Sequence, residues 1–137
     1  MTDTTVASST RNLQAVERYI EFWNADTAED QRRLASMTFV DDVQYTALIG
    51  VLSGPAALMG FRAQFIEHVG AATFQARESP QTHNDRVRLK WEIVTGEGKS
   101  FATGTDVIVI DADALISSVA SFLDRAPEGF DPHAQHS

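Results

Sequence analysis

Asp106 lies in a stretch, Phe101 to Ile110, whose other residues suit a strand: Thr103, Thr105, then Val107, Ile108, Val109 and Ile110. Side chains alternate across a strand, so Asp106 shares a face with Ala102, Gly104, Ile108 and Ile110. A carboxylate in that company is costly unless it is protonated or paired. Held neutral, it can donate a hydrogen bond to an oxygen on which enolate charge develops. The plainer reading is a strand aspartate bonded to a neighbouring side chain or a water. Tyr19 is the second polar group of interest. It flanks a helical stripe of Leu13, Val16, Ile20 and Trp23, with Phe22 on the same side. A tyrosine there either offers its hydroxyl to a site or satisfies it locally within a core. Trp23, Leu48, Phe61, Phe65, Trp91 and Val119 are candidates to line a pocket for a flat apolar or aromatic ligand, although for any single one of them plain core is the better reading.

The elements that must position these residues are legible from hydrophobic period. The first half reads as helices. Thr10 is a plausible N-cap for the helix bearing Tyr19 and Trp23. Asp26 and Thr27 open a second helix through about Met37, with Asp30 three residues after Thr27 as in a capping box. Asp41-Asp42 reads as a turn and Val43–Leu48 as a short strand. Ser53-Gly54-Pro55 starts a third helix whose buried face is Leu58, Phe61, Phe65 and Val69, ending at Gly70. Glu67 and His68 fall off that face and are expected in solvent. The second half reads as strands: Thr73–Glu78, then Arg86–Val94 with Val87, Leu89, Trp91 and Ile93 alternating against Arg88, Lys90 and Glu92. A hairpin loop at Thr95–Lys99, the strand Phe101–Ile110, a turn at Asp111–Ala114 and the strand Leu115–Leu123 complete it. Helices followed by a meander of strands is an α+β pattern. A curved sheet under helices leaves a conical cavity, where small ligands usually sit. Residues 1–10 and 126–137 read as flexible tails around one domain over 11–125.

Composition excludes several classes. The chain has 137 residues, 43% of them hydrophobic, which supports one domain with its own core. It has no cysteine, so disulfides and thiolate zinc sites are out. A net charge of -8 repels phosphate backbones, and Arg32-Arg33 is too small a basic patch to suggest nucleic acid. No apolar run approaches the ~20 residues of a membrane span, and Met1–Thr10 lacks a signal-peptide core, so a cytoplasmic location is expected. Gly96-Glu97-Gly98 is a hairpin rather than a phosphate loop, because no helix follows it. His133 and His136 make no convincing metal site. No cofactor is implied.

The order helix, helix, short strand, helix, then four strands resembles the nuclear-transport-factor-two-like superfamily. Glu17-Arg18-Tyr19-Ile20-Glu21 resembles the first helix of the ketosteroid isomerases, and Val40-Asp41-Asp42-Val43 the aspartate pair before the first strand. Ser53-Gly54-Pro55 through Phe61 resembles the segment in which a glycine precedes a helix with an inward aromatic. Gly104-Thr105-Asp106-Val107, Asp111–Ile116 and Phe122-Leu123-Asp124 resemble the end of the SnoaL-like polyketide cyclases. The resemblance implies a cone-shaped α+β barrel: three N-terminal helices on a curved, mixed, mostly antiparallel sheet enclosing an apolar pocket. It places Asp106 at the neutral acid of the isomerases or the general acid/base of the cyclases, and Tyr19 at a second donor to the same oxyanion. It also puts Ala47 where the isomerases carry their aspartate base. Asp42, Glu67, His68 and His83 are the substitutes on offer. A further likeness, to limonene epoxide hydrolases, aligns Tyr45, Arg88 and Asp106 with water-holding residues. It sets Ala47 in place of their asparagine and Lys90 in place of their aspartate.

The expected function is therefore an enzyme acting on an apolar cyclic or polyketide-like carbonyl compound by acid/base proton transfer. Asp106, Tyr19 and Tyr45 are its candidate catalytic residues. The competing expectation, motivated by Ala47, is a non-catalytic ligand-binding or assembly module with the same pocket. Epoxide hydrolysis ranks below both. The outer sheet row Arg88, Lys90 and Glu92, beside Thr103, Thr105 and Val107, offers a mixed polar surface for a homodimer.

Overall fold

The computed structural model describes residues 2–127. The histidines at 133 and 136, and all but the first two residues of the expected C-terminal tail, lie outside them. Three helices, α1 (Thr2–Asn24), α2 (Ala28–Thr38) and α3 (Pro55–Val69), pack on a curved sheet. Its seven strands are β1 (Phe39–Ala47), β2 (Gly50–Ser53), β3 (Ala72–Ala76), β4 (Gln81–His83), β5 (Arg86–Thr95), β6 (Ser100–Ile110) and β7 (Ile116–Arg125). The strand order is β2-β1-β7-β6-β5-β3, with β4 also on β5. Every pairing is antiparallel except β1 with β7, which is parallel. The α+β class and mixed curved sheet are as the sequence implies.

Helix α1 differs from expectation at its start and in its rotation. It begins at Thr2, so residues 2–10 are helix backbone and Thr10 is not a cap. Ser and Thr weaken a helix without forbidding it, and no Gly or Pro interrupts 2–24. The buried stripe is Asn12, Ala15, Val16, Tyr19 and Phe22, whereas Leu13 is exposed. The face is turned because two polar groups demand it. The Asn12 amide donates to Thr82 Oγ1 at 2.6 Å and to the Asn84 carbonyl at 2.9 Å, and Tyr19 reaches across to β6. At its end, Asn24 pairs with the Phe74 backbone like an extra peptide unit, each hydrogen bond 2.8 Å, and so fastens edge strand β3 to the helix.

Helix α2 is capped as read: the Asp30 N–H donates to Thr27 Oγ1 at 3.0 Å. Asp41-Asp42 is not a turn. Both residues lie exposed within β1, where the six residues from Phe39 to Gln44 span only the three of β7 from Ile116 to Ser118. The local polarity that suggested a turn marks this bulge instead. Gly54 enters α3 at φ +85°, its N–H held by the Val43 carbonyl at 2.8 Å, and Pro55 follows in the first turn. Glu67 and His68 face solvent as expected.

Strands β5 and β6 form the centre of the sheet in register, with Leu89 opposite Asp106 and Trp91 opposite Gly104. Register shifts at Ile93/Val94, Thr103/Gly104 and Val109/Ile110 bend this centre into a cone. The turn from β6 to β7 is tied by Asp111, whose Oδ1 accepts from the Asp113 and Leu115 N–H groups. Arg11 and Arg18 of α1 donate to the carbonyls of Ala112 and Ala114 in the same turn. The core, including Tyr19, Phe22, Leu58, Leu89, Ile108 and Ile116, lies between helices and sheet. Among the described residues, no helix is long and apolar enough to cross a membrane.

Candidate functional site

Asp106 is 1% exposed and both of its oxygens accept hydrogen bonds. Tyr19 Oη donates to Oδ2 at 2.5 Å and Trp91 Nε1 donates to Oδ1 at 2.7 Å. Three elements converge here: α1 supplies Tyr19, β5 Trp91 and β6 Asp106. The indole reaches the carboxylate because Gly104 lies directly opposite Trp91. A Cβ built on Gly104 would sit 2.1 Å from Trp91 Cζ2 and 2.5 Å from the Phe122 carbonyl oxygen. The ring thus occupies the space that a side chain at this position would need, and its N–H reaches Asp106.

Burial raises the Asp106 pKa above its ordinary 3.8, opposed by the Ser121, Tyr19 and Trp91 donors, which favour the carboxylate. Burial and the neighbouring Asp106 charge push the Tyr19 phenol well above its ordinary 10.0. Tyr45 is pushed up for the same two reasons. Ser121 stands opposite Asp106 in the β6–β7 register, and its hydroxyl lies near enough to Asp106 and Tyr45 to favour their ionised forms. Tyr19 and Trp91 are the donors that meet Asp106 at full hydrogen-bond geometry. The buried Trp23 indole N–H lies close to the Tyr19 oxygen and opposes its pKa rise, but meets no acceptor at that geometry.

Beside this cluster is a cavity of about 360 Å³, at the small end of the ~300–1,000 Å³ of ligand pockets. Trp23, Leu48, Phe61, Phe65 and Trp91 line it. Aromatic rings meet edge to face around it: Trp23 with Tyr45 at 5.9 Å, Trp23 with Phe61 at 6.3 Å, and Phe65 with Phe101 at 5.6 Å between centroids. Pro127 also reaches the lining.

Three expectations need correction. Val119 does not line the cavity. It is 1% exposed in the core, beside Tyr45 on β1 and Ile108 on β6. Asp106 and Tyr19 do not line it either; the cavity meets their cluster through Tyr45, Trp91 and Ser121. Tyr19 therefore spends its hydroxyl on Asp106 rather than presenting it beside the acid. The water-holding set of an epoxide hydrolase is not assembled, because β5 alternation turns Arg88 outward, where it donates to Gln81 Oε1. Lys90 pairs with Glu78 at 3.4 Å, also on the outside. Among the substitutes for a base, Asp42, Glu67, His68 and His83 are all exposed and none lines the cavity, whereas Ala47 does.

Sequence reasoning missed two members of the cluster. Trp91 lines the cavity and also belongs to the cluster: counting back across the Thr95–Lys99 hairpin would set it opposite Thr103, and only the register shift at Ile93/Val94 brings it opposite Gly104 and within reach of Asp106. Counting across the Asp111–Ala114 turn would bring Val119 to Asp106; the offset at the turn and the register shift at Val109/Ile110 bring Ser121 there instead, and a lone serine in a strand carries no signal of its own.

The chain matches the model of the SnoaL-like domain over residues 16–119. It belongs to the SnoaL-like family. The structure of this SnoaL-like protein is similar to that of a SnoaL-like family protein from Agrobacterium tumefaciens provisionally named an isomerase. The TM-score is 0.78 at 23% identity, over 84% of this chain and 98% of that one. A provisionally named SnoaL-like polyketide cyclase from a Jannaschia species gives a TM-score of 0.64 at 19% identity, over 84% and 86%. A de novo designed protein with a curved β-sheet gives 0.65 at 16% identity, over 93% of each. These likenesses establish the fold. No curated protein matches the chain.

Proposed function

We propose that this SnoaL-like protein is an enzyme acting on an apolar cyclic or polyketide-like carbonyl compound by proton transfer through an enol or enolate. The observation that carries this reading is a buried carboxylate, Asp106, held by Tyr19 and Trp91 and joined to an apolar cavity through Tyr45 and Ser121. Tyr45 donates to the carbonyl oxygen on which charge develops. The proton lost from the adjacent carbon passes to the Ser121 hydroxyl, which gives its own proton to Asp106. Tyr19 and Trp91 fix the carboxylate and are positioning residues.

A second reading has its own support. Ala47 lines the cavity where the isomerases carry a base, and Asp106 is set behind the wall. On that ground the protein is a binding module. One experiment separates the two: α-proton exchange of 2-tetralone in D2O, followed by NMR, for the wild type, Asp106→Asn and Ser121→Ala. The enzyme reading expects exchange above the buffer rate and its loss in both variants. Unchanged exchange in Asp106→Asn ends the Asp106 mechanism. Binding of the ketone without exchange selects the binding module. Association as a homodimer through the outer face of β5 and β6 is proposed alongside, and a monomer mass by light scattering at micromolar concentration would count against it.

A further inference from the structure

Arg62 is the one side chain of fixed charge among the described residues lining the cavity, and the fold engages only part of it. It follows Phe61 on α3. Its Nε donates to the Trp23 carbonyl at 2.7 Å, satisfying one of the last carbonyls of α1. That bond explains a donor at this position; it does not explain a guanidinium. The two terminal nitrogens have no hydrogen-bond or ion-pair partner among the described residues. Asp26 acts on Arg62 through space without reaching ion-pair distance, while partial burial disfavours the arginine's charge. One nitrogen is thus pinned to the backbone, which pre-orients the planar remaining pair. That geometry suits bidentate capture of a carboxylate.

We propose that the ligand of this pocket is an amphiphilic anion, its aryl or alicyclic body against Trp23, Phe61 and Phe65 and its carboxylate held by Arg62. This rests on the reading of the cavity as a site for an apolar cyclic compound, and adds the charge that compound carries. The ligand enters with its acid group at α3 and its ring toward Tyr45.

The test is calorimetric titration of the full chain with 2-naphthoate and with its neutral analogue 2-naphthamide, near neutral pH. The indole N–H resonances of Trp23 and Trp91, the two tryptophans of the sequence and both on the lining, report occupancy. Naphthoate is expected to bind about tenfold tighter than the amide, with the advantage shrinking as salt is raised. Arg62→Gln should erase the preference while leaving amide affinity within about twofold, and Arg62→Lys should retain part of it. Equal affinity of the two ligands for the wild type overturns the proposal, as does a preference that survives Arg62→Gln. Should Arg62→Gln fail to fold, the wild-type ratio and its salt dependence decide. Binding of the amide with no preference for the acid defeats this inference alone. Binding of neither, with both indole signals unmoved, defeats the apolar-ring reading of the cavity and this inference with it.

Discussion

The Asp106 cluster and the cavity beside it share Tyr45, Trp91 and Ser121 but are held in opposite ways. Around Asp106 the sheet positions are fixed by backbone register, Trp91 over Gly104 and Ser121 across from the carboxylate, while Tyr19 descends from the centre of the α1 stripe. The cavity walls are half-buried rings and aliphatic chains from α3, the β1–β2 turn and β3, touching one another edge to face. A polar cluster in a low-dielectric core stands only if all of its members are satisfied, so it tolerates little change. An apolar wall with one open side can be repacked at small cost. The chemistry is therefore the rigid half of the site and ligand choice the adjustable half.

The strongest way to break this contrast is Gly104→Ala. The new Cβ collides with the Trp91 ring and the Phe122 carbonyl, so the ring or the strand must move. The expected loss is about 3 kcal/mol in urea unfolding, together with displacement of the Trp91 indole resonance. A change below about 0.5 kcal/mol would show the cluster to be as pliable as the wall. Next is Tyr19→Phe, which removes the donor to Asp106 Oδ2. About 2 kcal/mol should be lost, against about 1 kcal/mol for Tyr45→Phe, whose hydroxyl has the open side. Tyr19→Phe should also raise the Asp106 pKa further, seen by carboxyl-carbon NMR, because it deletes a donor that favours the carboxylate.

A pH experiment sharpens the same contrast. Burial raises Asp106 above 3.8, so above that pH the folded protein retains a proton that the unfolded chain has released. Its contribution to stability is complete below the unfolded value and is lost as pH rises through the raised folded value. The stability difference between wild type and Asp106→Asn should therefore fall as pH rises through that window, by at most about 1.4 kcal/mol per pH unit. A difference that grows with pH would mean that the donors outweigh burial. The smallest effect is expected in the wall. Phe65→Ala should cost about 1 kcal/mol, because Phe65 is only half-buried, while weakening 2-naphthamide binding several-fold in the same calorimetric titration.

What the sequence disclosed follows the same division. Period-2 alternation found the buried face of β5 and β6 and set Asp106 upon it, because alternation is a property of the backbone that side-chain packing cannot alter. The end of α3 at Gly70 was legible for a related reason: it takes φ +91° there. The rotation of α1 was not legible. Leu13 and Ile20 outrank Asn12 and Tyr19 in hydrophobicity, and only the distant partners Thr82, Asn84 and Asp106 explain why the polar pair is turned inward. Strand β4 is three polar residues and shows no period. Whether Asp106 faced the cavity or stood behind its wall depended on where Tyr45 and Trp91 place their rings, which is a matter of packing between strands far apart in the chain. Val119 was misjudged for the same reason: alternation identifies an inward side chain but does not say whether a void or another side chain meets it.

The parallel pairing of β1 with β7 carries a consequence for how the molecule comes to exist. Tyr45 leaves the ribosome long before its neighbour Val119, and no nearer strand can take that place, since β2 occupies the other side of β1. The central hairpins β5–β6 and β6–β7 close locally and can form early, whereas β1 docks only after a loop of most of the chain has been closed. Tyr45 and Ser121 are thus brought together only once this long loop has closed. A nascent or C-terminally shortened chain lacking β7 should keep much of its helix and hairpin structure and have no binding cavity at all.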